Sequence, residues 1–175
     1  FLLGFKKISI GFVGYDFDAK ALKLYSNTGK LLDKYDKRGK APGEIAGFFA
    51  ISSLDGDTLF GIDHMTERVM VFDVSKEKIE YLYEFRSDMT AGRILSVGAY
   101  GENLICRSLS AKYRSSIYSK EGRLLKQVIP VEIKKETFLE SVGGQAILGK
   151  TYLLTKGKNN IHFYKIDDND NFTLF

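Results

Sequence analysis

A unit of about 46 residues recurs along this chain, and few folds tolerate a repeat of that length. The phrase "LYSNTGKLLDK" begins at Leu24 and "IYSKEGRLLKQ" at Ile117, with five of eleven positions identical. A weaker copy lies between them. "GYDFDAKALKLYS" (14–26) falls over "GIDHMTERVMVFD" (61–73) without gaps, matching Gly14 with Gly61, Asp16 with Asp63 and Tyr25 with Phe72. A further step carries Val71-Phe72 onto Ile117-Tyr118, and another onto Phe163-Tyr164. Periods of ~40–50 residues belong to propeller blades or helical arrays. Short β-branched and aromatic runs such as "RVMVFDV" and "KIEYLYEF" decide for strands. Turn signals separate them at "SNTGK", "LDGDT", "YGEN" and "SKEG". Each unit reads as four antiparallel strands.

The reading is therefore an all-β propeller of about four blades, in one domain over 1–175. Its blades span approximately 1–40, 48–86, 94–129 and 142–175. In the second, the strands fall at Phe48–Leu54, Thr58–Asp63, Arg68–Val74 and Lys78–Arg86, and the first inner strand is expected at Phe1–Lys7. The twice-written phrase is then a third strand, a tight hairpin and the start of an outer strand. Gly29 and Gly122 supply the positive φ that such turns need.

Composition narrows the function. With 26 basic and 22 acidic residues the net charge is +4, and the charges are interspersed rather than gathered into a basic stripe. That speaks against nucleic acid as a partner. One cysteine, Cys106, excludes an internal disulfide and a Cys-based zinc site; in the apolar run "NLICRSL" it reads as a buried thiol. No apolar run reaches the ~20 residues that span a bilayer as a helix. Phe1 in place of Met implies a processed start or a longer parent chain.

The link between the first two blades carries Gly39-Lys40-Ala41-Pro42-Gly43-Glu44. Together with "YDFDAKALKLYSNTGKLL", it resembles the NHL-like and TolB-like six-bladed propellers common in Bacteroidetes envelopes. Lys40-Ala41 stand where that pattern often has a glycine. The likeness is good over 11–74 and thin after 130. The Asp that ends the second strand is replaced by Leu109 in the third blade and by Thr155 in the fourth. The resemblance implies six blades, of which four are present, although a complete four-bladed ring is also consistent with the sequence. It implies a periplasmic, surface or secreted protein, with any lipid anchor lying outside this chain.

Several motifs weigh less than they first suggest. "GQAILGKT" (144–151) has the spacing of a phosphate-binding loop, which needs a strand before it and a helix after it. Here "QAIL" suits a strand and "YLLTKGKNNIHFYK" has no helical face. "DDNDNF" (167–172) lacks the sixth-position Gly of a calcium loop and reads as a hairpin turn. His64 follows Asp63, but neighbours in a strand point to opposite faces; His162 lies within a third strand. No catalytic residue, metal site or cofactor is expected.

Asp16 and Asp63 are expected to tie the turns that follow them, and Pro42 and Gly43 to form a corner. In a four-stranded blade, the second-to-third connections and the links between blades share one face. Asp16, Asp18, Arg38, Lys40, Glu44, His64, Arg93, Lys112 and Lys156 should lie on that face, around a central channel. The function expected is non-catalytic recognition of a protein, peptide or glycan. A hydrolase or lyase completed by further blades, and an array without a ligand, are the other readings.

Overall fold

The computed structural model describes residues 2–53, 56–88, 90–109, 113–130, 145–148, 152–156, 161–169 and 171–174. Among them there is no helix, and so none long and apolar enough to cross a membrane. Among the described residues, sixteen strands form four antiparallel sheets, each in simple sequential order. The first holds β1 (Leu2–Lys7), β2 (Gly11–Asp16), β3 (Ala21–Ser26) and β4 (Leu31–Tyr35). The second holds β5 (Phe48–Ser53), β6 (Thr58–Asp63), β7 (Arg68–Asp73) and β8 (Glu80–Arg86). The third holds β9 (Arg93–Tyr100), β10 (Asn103–Leu109), β11 (Tyr113–Tyr118) and β12 (Leu124–Pro130). The fourth holds β13 (Gln145–Leu148), β14 (Tyr152–Lys156), β15 (Ile161–Ile166) and β16 (Phe172–Leu174).

The chain divides into two compact units, Phe1–Ser87 and Asp88–Phe175. In the first, two sheets pack face to face. Val13, Tyr15, Leu22, Leu24 and Tyr35 of one meet Ile51, Leu59, Met70 and Phe72 of the other, with Ile45 of the link also buried. Period-2 alternation supplies these residues: in "VGY" and "LKL" every second side chain points inward. In the second unit, Ile105, Ile117 and Val128 of the third sheet join Ile166 of the fourth. Cys106 is fully buried, and desolvation pushes its thiol far above the ordinary value, so it remains a protonated, inert group.

The repeated phrase folds the same way twice. Ser26 N–H donates to Lys30 O at 2.8 Å and Gly29 N–H to Ser26 O at 3.0 Å. Ser119 N–H donates to Arg123 O at 2.9 Å and Gly122 N–H to Ser119 O at 3.0 Å. Gly29 and Gly122 have φ of 82° and 87°. Each serine hydroxyl accepts a backbone N–H from its own turn, that of Lys30 or of Arg123. The fourth sheet uses an aspartate instead: Asp167 accepts the N–H groups of Asn169 and Asn171 at 2.9 Å. "DDNDNF" is thus a hairpin turn.

Just beyond this hairpin the outer strand carries one extra residue in three sheets. Tyr25 pairs with Leu31 but Leu24 with Asp33, leaving Leu32 over. Leu82 and Leu125 are left over in the same way. A bulge of this kind bends the strand and raises its twist.

Several sequence expectations need correction. Leu104 pairs with Tyr118 as Leu59 pairs with Phe72. Four residues on, Ser108 and not Leu109 therefore stands where Asp63 stands in the second sheet. The second-to-third connection is one residue longer in the third sheet, and a fixed period misses that. In the fourth sheet, Ile166 closes the five-residue turn that Tyr118 closes in the third, and so takes the place assigned to Tyr164. Thr155 keeps its assigned place: it pairs with His162, four residues before Ile166, as Asp63 pairs with Arg68, four before Phe72. The outer strand expected at Lys78 begins at Glu80, because Ile79 N–H is drawn to the Asp33 carboxylate at 2.7 Å. The third strand of that sheet stops at Asp73, where Val74 N–H turns to Asp57 O. The third sheet runs from Arg93 to Pro130, a residue longer at each end than 94–129. The "QAIL" of the phosphate-loop match is strand β13, paired with β14. The expected start of the fourth blade at 142 lies outside the described residues, as do Phe1 and Leu54.

Candidate functional site

Six of the nine candidate residues fall in the first unit, at one end of its two sheets. Asp16 closes β2 and Asp18 lies in the β2–β3 turn. Arg38, Lys40 and Glu44 lie in the β4–β5 link, and His64 lies in the β6–β7 turn. Arg93 opens β9 in the second unit and is half-buried. Lys112 lies outside the described residues. Lys156 ends β14, and its side chain lies outside them as well.

Asp16, Asp63 and Glu44 are engaged with the protein's own backbone. Asp16 accepts the Ala19 N–H at 3.0 Å and pairs with Lys23 at 2.6 Å. These contacts, the Ala19 N–H foremost, lower its pKa to about 2 from an ordinary 3.8. A depressed folded-state value means that the stabilisation is complete above about pH 4, the range of an unperturbed Asp, and is lost as the pH falls through about 2. A carbon-13 titration of the Asp16 carboxyl should give a midpoint near 2; a midpoint near 3.8 would remove this role.

Asp63 is fully buried. It accepts N–H groups from Met65 at 3.0 Å, Thr66 at 3.3 Å and, across the link, Ala46 at 2.8 Å. The backbone N–H of His64 donates to Gly47 O at 3.1 Å, and its imidazole lies against Gly47, 3.4 Å from where a Cβ would stand.

The Pro42-Gly43 corner is a type II turn in its residues and closure. Pro42 stands second, Gly43 third with φ 75°, and Glu44 N–H donates to Ala41 O at 2.9 Å. The Glu44 carboxylate returns to the Ala41 N–H at 3.0 Å. Tyr35 donates its hydroxyl to Gly43 O.

Beneath the corner lies Arg68, 4% exposed. Its guanidinium donates to Glu84 at 2.7 Å, Ala41 O at 3.1 Å, Glu44 O at 3.0 Å and Thr66 Oγ1 at 2.8 Å. Glu84 also accepts the Gly43 N–H at 3.3 Å. The Asp63 carboxylate stands 3.9 Å from the guanidinium. Sequence reasoning missed Arg68, Glu84 and Tyr35. A signal was available: alternation in "RVMVFD" sets Arg68 on the face of Met70 and Phe72, an apolar face where a charge must be matched.

Solvent-facing charge at this end is mixed, with Asp18 and Glu67 exposed as well as the basic residues of the link. Lys37, Arg38 and Lys40 are exposed, with Lys37 above the Tyr35 ring at 5.6 Å and Asp36 paired with Lys34 at 2.6 Å. Among the described residues, no group of three His, Cys, Asp or Glu side chains is placed to hold a metal ion.

Comparison with solved structures decides the architecture. An exported protein of Bacteroides fragilis superposes over 98% of this chain with a TM-score of 0.74 at 12% identity. The WD40 repeats of RRP9 do so over 99%, at 0.68 and 14%. The fold is that of a β-propeller. A periplasmic gluconolactonase of Pseudomonas aeruginosa matches over 99% with a TM-score of 0.66 at 13% identity. This chain spans 49%, 50% and 55% of those three, about half their length. No family's sequence pattern matches the chain, and no curated protein matches it by sequence. The four sheets are four propeller blades.

Proposed function

We propose that the protein is a non-catalytic recognition module of a bacterial envelope, part of a six-bladed propeller of the NHL-like or TolB-like kind. Its ligand is a protein, peptide or glycan with anionic groups, bound at the end that carries the β4–β5 link. One observation carries this reading. At that end, Asp16, Asp63 and Glu44 are spent on backbone N–H groups, while Arg38 and Lys40 face solvent. A rigid frame with loops held this firmly suits binding. The exported and periplasmic neighbours favour an envelope or secreted location.

The test is a double replacement, Arg38→Ala with Lys40→Ala, screened against arrays of acidic and neutral peptides and glycans. Both side chains are exposed, so stability should change by no more than about 0.5 kcal/mol. Retention of acidic ligands should fall several-fold and weaken with added salt. Unchanged retention would discard the basic end as the site.

A second reading is hydrolysis of a sugar lactone, favoured by the likeness to the gluconolactonase. Proton release from gluconolactone above the spontaneous rate would establish it in place of the first.

A further inference from the structure

Met65 is the most exposed large apolar side chain among the described residues, at 60%. It belongs to the second blade, which has one blade before it and another after it in the chain. It stands in the β6–β7 turn at the candidate end, and its Cγ lies 3.4 Å from where a Cβ on Gly47 would stand. A lone exposed methionine is ordinary. This one has apolar neighbours that the frame holds beside it.

The Arg68 guanidinium sets those neighbours in place. It donates to Thr66 Oγ1 of the turn at 2.8 Å and to Ala41 O of the link at 3.1 Å, which fixes the Ala41-Pro42 corner alongside the turn. Farther along the link, Ala46 N–H donates to the Asp63 carboxylate, and Gly47 O accepts the His64 N–H. The link is thus tied to the turn on both sides of Met65 in sequence. Ala41 and Pro42 are exposed, as Met65 is. A surface held in this way is met by a ligand without reordering of the loops.

The polar groups of the corner narrow what it can take. The Ala41 N–H is held by the Glu44 carboxylate, the Gly43 N–H by Glu84 and the Glu44 N–H by Ala41 O. Pro42 has no N–H to offer. Positions 36–47 and 63–67 contain no Asn or Gln. A sugar is held through its hydroxyls by carboxylates, amides and N–H groups, and here Glu44 and Asp63 are turned to backbone. An apolar side chain requires none of these bonds. The flexible thioether of a methionine adapts to apolar groups of different shape.

Charge sets the direction of the ligand. Arg38 and Lys40 are exposed on the link, and Arg38 is bridged to Ile45, two residues before Gly47. Glu67 is exposed at the other end of the β6–β7 turn. An acid beside the bound apolar group is favoured toward the link and disfavoured toward Glu67.

We propose that Met65, Ala41 and Pro42 form the apolar seat of the recognition site, and that its occupant is a peptide in which a large apolar residue stands next to an acidic one. The proposal rests on the reading of this end as the binding end, and within that reading it selects a peptide over a glycan. Met65 receives the apolar side chain, and Arg38 and Lys40 receive the acid.

Short fluorescein-labelled peptides test this by anisotropy with the full chain. Each carries two aspartates, with phenylalanine, leucine or serine between them, in a background of glycine and serine. The phenylalanine and leucine peptides should bind about fivefold or more tightly than the serine peptide. Met65→Ser should bring that difference below about twofold and leave the serine peptide unchanged, while Met65→Leu should preserve it. Thermal melting shows that each variant is folded. Equal binding of the phenylalanine and serine peptides would overturn the seat, and so would a preference that survives Met65→Ser. If Arg38→Ala with Lys40→Ala still weakened every peptide, the basic end would stand without the seat. Binding of oligogalacturonate with no binding of any peptide would overturn the choice of a peptide and leave the basic end in place. Binding of neither probe would remove the seat and the basic end together.

Discussion

Arg68→Ala is expected to lower the unfolding free energy by about 3–5 kcal/mol, the cost of breaking a buried ion pair by removing one member. The guanidinium is almost wholly buried and its loss strands several groups at once. Glu84 keeps a carboxylate 17% exposed without its cation. The carbonyls of Ala41 and Glu44 lose a donor. An unpaired buried acceptor costs about 1–3 kcal/mol, so the parts agree with the whole. Urea denaturation would measure the loss. Arg68→Met combined with Glu84→Met should recover part of it, since an apolar pair of similar volume removes the stranded charge. A loss below about 1 kcal/mol for the alanine variant would show that the corner holds without its guanidinium.

Gly11→Ala is expected to be at least as damaging, for a steric reason. A Cβ on Gly11 would stand 1.8 Å from the carbonyl oxygen of Tyr25 and 3.0 Å from the Cα of Ser26. Both obstacles are backbone of the neighbouring strand, so no rotamer change relieves the clash. β2 and β3 must part where Gly11 pairs with Ser26, at the mouth of the repeated hairpin. Overpacking usually costs about 1–3 kcal/mol, and a collision with backbone belongs at or beyond the upper end. Gly14→Ala offers a scale. Its Cβ would meet the Phe5 ring at 3.1 Å, and that ring can swing toward solvent. The Gly11 variant should melt well below the Gly14 variant; equal melting temperatures would contradict the steric account.

The blade pattern was legible in the sequence because strand periodicity and hairpin chemistry act locally. "YSNTGK" and "YSKEGR" make the same turn, since Ser and Gly are required at the same two points of the backbone. Register was less legible. A single residue gained in the connection after β10 put Ser108 where a constant period predicted Leu109, and nothing in the letters marks that gain. The candidate end was legible as a place, because connectivity alone brings the turns together. It was not legible as chemistry. Glu44 reads as an exposed acid in sequence but caps Ala41 in space, and the residue that organises the corner, Arg68, is held by Glu84 from a neighbouring strand. Its partners lie 2 to 27 positions away, and such meetings follow from packing rather than from local pattern.

The leftover leucine in three outer strands has a consequence for how a protein of this kind can grow. An outer strand is a free row of backbone groups, and a flat one would recruit the outer strand of another molecule. With Leu32, Leu82 and Leu125 out of step, each row is broken at the same height. The interruption recurs in three of the four sheets, while β15 and β16 pair without it. Those three units each carry a guard against fibre formation within their own repeat, so copying such a unit does not add an unbroken edge on which the protein could polymerise.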